Sequence, residues 1–128
     1  MLPLFLDLDE VIEIHRDQIE RYGGHAGIRD MTLLESAVAM PQATFGGEYL
    51  HNDLFEMAAA YVFHIVQNHP FVDGNKRAGA VAALVFLALN GIEVRATNQA
   101  LSDTVLGVAQ GGIRKDAIAE FLRHHSRQ

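Results

Sequence analysis

Residues 69–77 read His69-Pro70-Phe71-Val72-Asp73-Gly74-Asn75-Lys76-Arg77 and lead into a nearly uncharged run, Ala78 to Leu89. An imidazole titrates near neutral pH, so His69 can take a proton from an incoming hydroxyl. Asp73 offers the hard oxygen ligand that magnesium prefers. Magnesium takes only one or two protein carboxylates and fills its other positions with phosphate and water. Gly74 and Asn75 let the backbone turn so that successive N–H groups face inward, beside the unpaired donors and positive dipole end of a helix N-terminus. Lys76 and Arg77 add full charges there, where exposed cations oppose the dipole and cost up to ~1 kcal/mol each. That placement is easier to understand if an anion occupies the site. Phe71 would turn into the core and anchor the loop. This is the equipment for holding a magnesium nucleotide and activating a hydroxyl. Residue chemistry also leaves a plain turn open: Asp73 could cap the next helix or pair with Arg77 four residues on, and His69 could satisfy helix carbonyls.

The elements that would position this stretch are helices separated by short glycine-bearing turns. The spacing predicts a helix from near Asp9 to Tyr22, with Gly23-Gly24 as its left-handed exit. Asp30 should cap Met31–Met40, and Pro41 should stop it. The glycines of Thr44-Phe45-Gly46-Gly47-Glu48-Tyr49 suggest a small hairpin. A helix should follow from Asn52 or Asp53 to Asn68, and another from Asn75 to Leu89. The second is apolar all round, which marks it as the central helix. Weaker helices are expected over 98–109 and 113–125, divided by Gly111-Gly112, which reads as a helix break and not as a phosphate loop. Ile92–Val94 should form a short extended exit without chemistry. The expected class is all-α, with minimal strand, in one domain spanning residues 1–128.

Composition excludes several functions. With 49 % hydrophobic and 20 % charged residues, the 128-residue chain can bury a real core. A formal net charge of −6 argues against broad nucleic-acid binding through phosphate neutralisation. Without cysteine there is no disulfide or thiolate metal site, which fits a reducing cytosol. The apolar start, Met1 to Leu6, lacks a basic leader and reads poorly as a signal peptide, and Ala78–Leu89 is too short to span a bilayer. A cytoplasmic protein with no membrane association is the expectation.

The stretch 69–77 resembles the signature of the Fic/Doc superfamily, specifically its Doc (death-on-curing) branch. Similar stretches lie elsewhere: Arg21-Tyr22-Gly23-Gly24, Gly27-Ile28-Arg29-Asp30, Leu34-Glu35-Ser36-Ala37, Pro41 to Gly47 and Asp53-Leu54-Phe55-Glu56. Together they cover most of residues 10–92. The resemblance implies a compact fold of about six helices, the motif loop leading into the central one. It implies His69 as general base, Asp73 as magnesium ligand, Gly74 and Asn75 as the anion-binding turn, and Arg77 on nucleotide phosphate. Arg21 would assist the site. The hairpin around Phe45, Gly46 and Gly47 would be a flap against which a target segment lies extended.

Two departures from the broad Fic pattern bear on the reaction. Most Fic proteins have glycine where Lys76 stands and a second arginine where this chain has Ala80, and they transfer AMP. Doc-like members carry the lysine. The resemblance then implies ATP as substrate, with γ-phosphoryl transfer to a Ser or Thr of a translation elongation factor by a toxin that a cognate antitoxin blocks. AMP transfer is the alternative within the family, and a non-catalytic binding module the alternative outside it. The self-inhibitory Ser/Thr-x-x-x-Glu-Gly/Asn pattern is matched only in part, at Thr44 and Glu48 followed by Tyr49, which favours an external antitoxin. His64, five residues before His69, lies off the i,i+4 face that a shared metal needs and reads as core-edge. His124-His125 reads as a solvated tail.

Overall fold

A computed structural model describes residues 2–127. Most helices begin where a short acidic or hydroxyl side chain can take over an orphan N–H. α1 (Leu8–Tyr22) opens with a capping box: Glu10 N–H donates to Asp7 at 2.8 Å and Asp7 N–H to Glu10 at 3.0 Å. Asp30 caps α2 (Met31–Ala39), and Asp53 caps α3 (Leu54–Asn68) by accepting from Glu56 N–H at 2.8 Å. Thr97 caps α5 (Asn98–Ala109). α4 (Asn75–Leu89) is different. Its N-cap is Gly74, and no side chain caps it.

Pro41 ends α2 as expected, by way of a 3₁₀ turn over Met40–Gln42. The hairpin is also present: β1 (Thr44–Phe45) and β2 (Glu48–Tyr49) pair antiparallel, Thr44 opposite Tyr49. α6 spans Lys115–His124 and starts later than the sequence suggests. The reason is that residues 110–113 wrap the end of α5, where Gly112 and Ile113 N–H groups donate to the Gly107 carbonyl at 2.9 and 3.2 Å. The Gly111-Gly112 pair is thus a helix break.

The core corrects one expectation. α3, not α4, is the most enclosed helix: Phe55, Met57 to Val62, Ile65 and Val66 are all buried against α2, α4, α5 and α6. α4 packs Ala78, Gly79, Ala82, Ala83, Phe86 and Leu87 inward but leaves Val85 and Leu89 exposed. An all-round apolar sequence says nothing about how many neighbours arrive to cover it. The two helices meet closely at Gly79, where a Cβ would stand 3.4 Å from both Val62 Cα and the Val62 carbonyl. Tyr61, fully buried, accepts from Leu6 N–H at 2.9 Å, and burial pushes its hydroxyl up to about 12.

The C-terminal histidines are not a free tail. His125 is half-buried and its Nδ1–H donates to the Phe121 carbonyl at 2.8 Å, while His124 is exposed. Beyond them β4 (Ser126–Arg127) pairs antiparallel with β3 (Glu93–Val94), so the extended exit at 92–94 receives the segment that follows α6.

His64 lies at the core edge, as its position suggests. The Lys115 ammonium stands 2.8 Å from its Nε2 and 3.2 Å from Nε2 of His51, joining α3, α6 and the segment after the hairpin. Burial, then the Lys115 charge and His51, lower the His64 imidazole to about 4. Unfolded, it titrates near ~6.5, so the unfolded chain binds more protons below that pH and stability falls as pH drops from ~6.5 towards 4. Removing this imidazole with His64→Gln is expected to shrink the difference in Tm between pH 7 and pH 5. An unchanged difference would show that other groups dominate acid sensitivity.

Candidate active site

The loop from His69 to Gly74 joins α3 to α4. His69 ends α3 in the left-handed region (φ 50°, ψ 53°), the one non-glycine with positive φ among the described residues. Such a conformation costs of order 1–3 kcal/mol and persists only where the surroundings enforce it. Arg29 does the enforcing here, donating from Nε to the His69 carbonyl at 2.6 Å and from Nη2 to the Asn68 carbonyl at 2.9 Å. The imidazole itself is exposed.

Residues 27–30 then run beside the loop like a short strand. Arg29 and Asp30 N–H groups donate to the Pro70 carbonyl at 2.7 and 3.0 Å, and Val72 N–H donates to the Gly27 carbonyl at 3.0 Å. Phe71 is fully buried, the anchor its type suggests. Asn75 closes the turn from inside. Its side chain is 5 % exposed, accepts from Phe71 N–H at 2.9 Å and donates to the Phe71 carbonyl at 3.0 Å. Its amide is therefore committed to the loop, and only its backbone N–H is available to an anion.

Asp73 and Arg77 face the turn after α1. The Asp73 carboxylate accepts from His25 N–H at 3.1 Å through Oδ2 and from Gly74 N–H at 2.8 Å through Oδ1. These two donors, His25 first, hold its pKa below the usual value. Arg77 donates to the Gly23 carbonyl at 2.8 Å and to the Gln18 carbonyl at 3.4 Å. Gly24 permits this approach: its φ is +117°, and a Cβ there would lie 2.8 Å from Asp73 Oδ2 and 3.1 Å from Arg77 Nη2. Below the loop, His15 of α1 is buried and its Nε2 lies 2.7 Å from the Asp73 carbonyl oxygen. Burial lowers its pKa most, opposed by that hydrogen bond, and Arg77 lowers it further. The N–H groups of Asn75, Lys76 and Arg77 have no protein acceptor among the described residues, so three donors point out of an uncapped helix end.

Residues 5–87 match the family model for the Fic/DOC family. The chain belongs to the Fic/Doc family. Its relatives include "Protein kinase doc" of Escherichia phage P1, 36 % identical over 115 residues that cover 90 % of each chain. "Toxin Doc" of Mycolicibacterium smegmatis is 44 % identical over 75 residues, 59 % of this chain and 58 % of that one. The Fic/Doc loop of this chain combines an exposed imidazole, an ionised carboxylate, free helix N–H groups and two cations. Such a set can neutralise a polyphosphate and deprotonate a hydroxyl.

Not every residue singled out in the sequence joins the Fic/Doc loop. His69, Asp73, Gly74, Asn75, Lys76 and Arg77 do, with Lys76 exposed. Arg21 pairs with Asp17 at 2.9 Å on an open face of α1 and hydrogen-bonds nothing in the loop. The hairpin tip is open, with Phe45 84 % exposed and Gly46 and Gly47 at φ 62° and 84°. Sequence reasoning assigned no role to His15, Gln18, His25 or Arg29. The signal for two of them was there: His25 follows Arg21-Tyr22-Gly23-Gly24, and Arg29 lies in Gly27-Ile28-Arg29-Asp30. Both stretches resemble the family over more residues than the helix ends at Gly23 and Asp30 account for. An apolar groove of about 580 Å³ opens beside Lys76 and Arg77, walled by Tyr22, Ala80, Leu84, Leu101 and Leu106. No described helix is long and apolar enough to cross a membrane.

Proposed function

We propose that this protein is a Doc-type toxin that uses ATP and magnesium to phosphorylate a Ser or Thr hydroxyl of a translation elongation factor, arresting translation in the cytoplasm. The observation that carries the reading is the uncapped N-terminus of α4, where Lys76 and Arg77 flank free N–H groups beside the ionised Asp73. The names of the two relatives, a protein kinase and a toxin, support the same reading.

The donor set suits the magnesium that this reading requires. Asp73 is a hard oxygen ligand kept ionised by two N–H bonds, each oxygen retaining free lone pairs. Magnesium held there with phosphate oxygens would neutralise charge on the transferred group. His69 takes the proton of the target hydroxyl through its exposed imidazole. The hydroxyl oxygen forms a bond to the γ-phosphorus as the bond from that phosphorus to the β–γ bridging oxygen breaks, and ADP leaves with the electron pair. Lys76, Arg77 and the helix N–H groups offset the charge that develops. Little covalent chemistry is asked of the protein, since phosphoryl transfer depends on positioning and electrostatics. Lys76 and Ala80, in place of glycine and a second arginine, favour γ-phosphoryl over AMP transfer.

A cognate antitoxin restrains the enzyme. The apolar groove beside Lys76 and Arg77 suits an amphipathic antitoxin segment whose acidic residues would neutralise the two cations. The function is tested by treating a purified elongation factor with the protein and either ATP or its β,γ-imido analogue, removing nucleotide, and adding the factor to a translation reaction. Synthesis should fail only after treatment with ATP. Equal failure with the analogue, or none with ATP, would contradict the proposal.

A further inference from the structure

His15 lies in α1, 58 residues from Asp73 in sequence, yet it touches the loop twice. Its ring is 4 % exposed and overlies Phe71 almost parallel, with centroids 3.7 Å apart and planes at 2°. Its Nε2 lies 2.7 Å from the Asp73 carbonyl oxygen. A carbonyl can only accept, so the proton is on Nε2 and the ring donates. A buried polar side chain is costly unless it is bonded, and this one is bonded to a single backbone atom of the active loop.

That atom belongs to the Asp73–Gly74 peptide, whose carbonyl and N–H point in opposite directions because the peptide is planar and trans. With the carbonyl held down on His15, the Gly74 N–H faces the other way, and there it donates to Asp73 Oδ1 at 2.8 Å. Gly74 is in the left-handed conformation at φ 76°. Glycine has no Cβ to resist rotation of the peptide before it, so the sequence at 73–74 does not by itself hold this orientation. A flipped peptide would turn the carbonyl oxygen outward, next to the free N–H groups of α4, and withdraw the donor from the carboxylate.

We propose that His15 is a positioning residue: through its Nε2–H it locks the Asp73–Gly74 peptide, and so sets the Asp73 carboxylate and keeps a carbonyl dipole away from the phosphate-binding end of α4. The inference rests on the assignment of Asp73 and the α4 N-terminus to a magnesium nucleotide. The Phe71 stack fixes the ring plane, so one hydrogen bond is aimed and not merely available.

Two variants test it. His15→Phe keeps a flat ring against Phe71 and removes the donor. His15→Gln restores an N–H donor at about the reach of Nε2. Outer partners of metal ligands are worth about 10- to 100-fold in affinity or activity. His15→Phe should therefore lose about that factor in kcat and in the affinity for magnesium alone, with a smaller change in KM for ATP, and His15→Gln should recover most of it. Independently of any reaction, amide hydrogen exchange at Gly74 should accelerate in His15→Phe and return towards wild type in His15→Gln. A folded His15→Phe with wild-type magnesium affinity and Gly74 exchange would overturn the role. So would a folded His15→Gln as impaired as His15→Phe, which also covers the case in which His15→Phe fails to fold. If the wild-type protein transfers no phosphoryl group, the functional reading fails, while Gly74 exchange still decides whether His15 locks the peptide.

Discussion

His69→Ala is expected to lower phosphoryl transfer by about 10²- to 10⁴-fold, the range for removal of a general base. The loss should appear in single-turnover transfer and as release from growth arrest when the protein is induced in cells. The imidazole is exposed and makes no side-chain hydrogen bond to the described protein, so the fold does not depend on it. The backbone is a separate matter. Position 69 is left-handed, a conformation that alanine resists by about 1–2 kcal/mol and that asparagine tolerates well. His69→Asn isolates the chemical contribution: it should keep the thermal midpoint of the wild type and be as inactive as His69→Ala. Growth arrest by either variant at the wild-type level would remove His69 from the mechanism.

The largest effect on stability is expected at Asn75. Its amide satisfies both the N–H and the carbonyl of buried Phe71. Asn75→Leu has similar volume but leaves both groups without a partner, and each unsatisfied buried group costs roughly 1–3 kcal/mol. Two such groups amount to a large fraction of the ~5–15 kcal/mol that holds a domain together. Urea unfolding should show a lower midpoint with little change in slope. Activity should disappear even where the variant remains folded, because Phe71 and Asn75 bracket Asp73 and Gly74. A midpoint like that of the wild type would mean that the loop stands without this bridge. Asn75→Asp, which keeps the acceptor for Phe71 N–H and removes the donor, should fall between the two.

The helices were legible because their boundaries are written in local chemistry. Asp30, Asp53 and the Gly23-Gly24 exit mark ends that the structure reproduces, and all three are decided within one helical turn. The candidate stretch stood out as a motif because residues 69–77 are contiguous, but its chemistry alone also allowed a plain turn, and only the resemblance to the Fic/Doc family implied a site. What supports that stretch was not. Arg29 reaches His69 across 40 residues and His15 reaches Asp73 across 58, and no local pattern reports a tertiary distance. Asn75 shows a further limit. Its type fits an anion-binding turn, but its side chain points inward to Phe71, and residue type does not reveal side-chain direction. The apolar character of α4 misled in a related way, because alanines satisfy an apolar pattern whether or not a neighbour covers them. The β3–β4 pair was out of reach, as two-residue strands are too short to show alternation.

Lys76 is exposed at the first turn of α4 beside Arg77 and the free N–H groups, and in the proposed function it is the residue that selects between the phosphates. With its charge there, the proposed reaction transfers the terminal phosphoryl group. The direct measurement is to incubate the protein and its target with ATP labelled at the γ-phosphate or at the α-phosphate and to follow the label on the target. Label is expected from the γ position alone, and is expected to be lost in His69→Asn. Label carried over from the α position would mean AMP transfer and would contradict it.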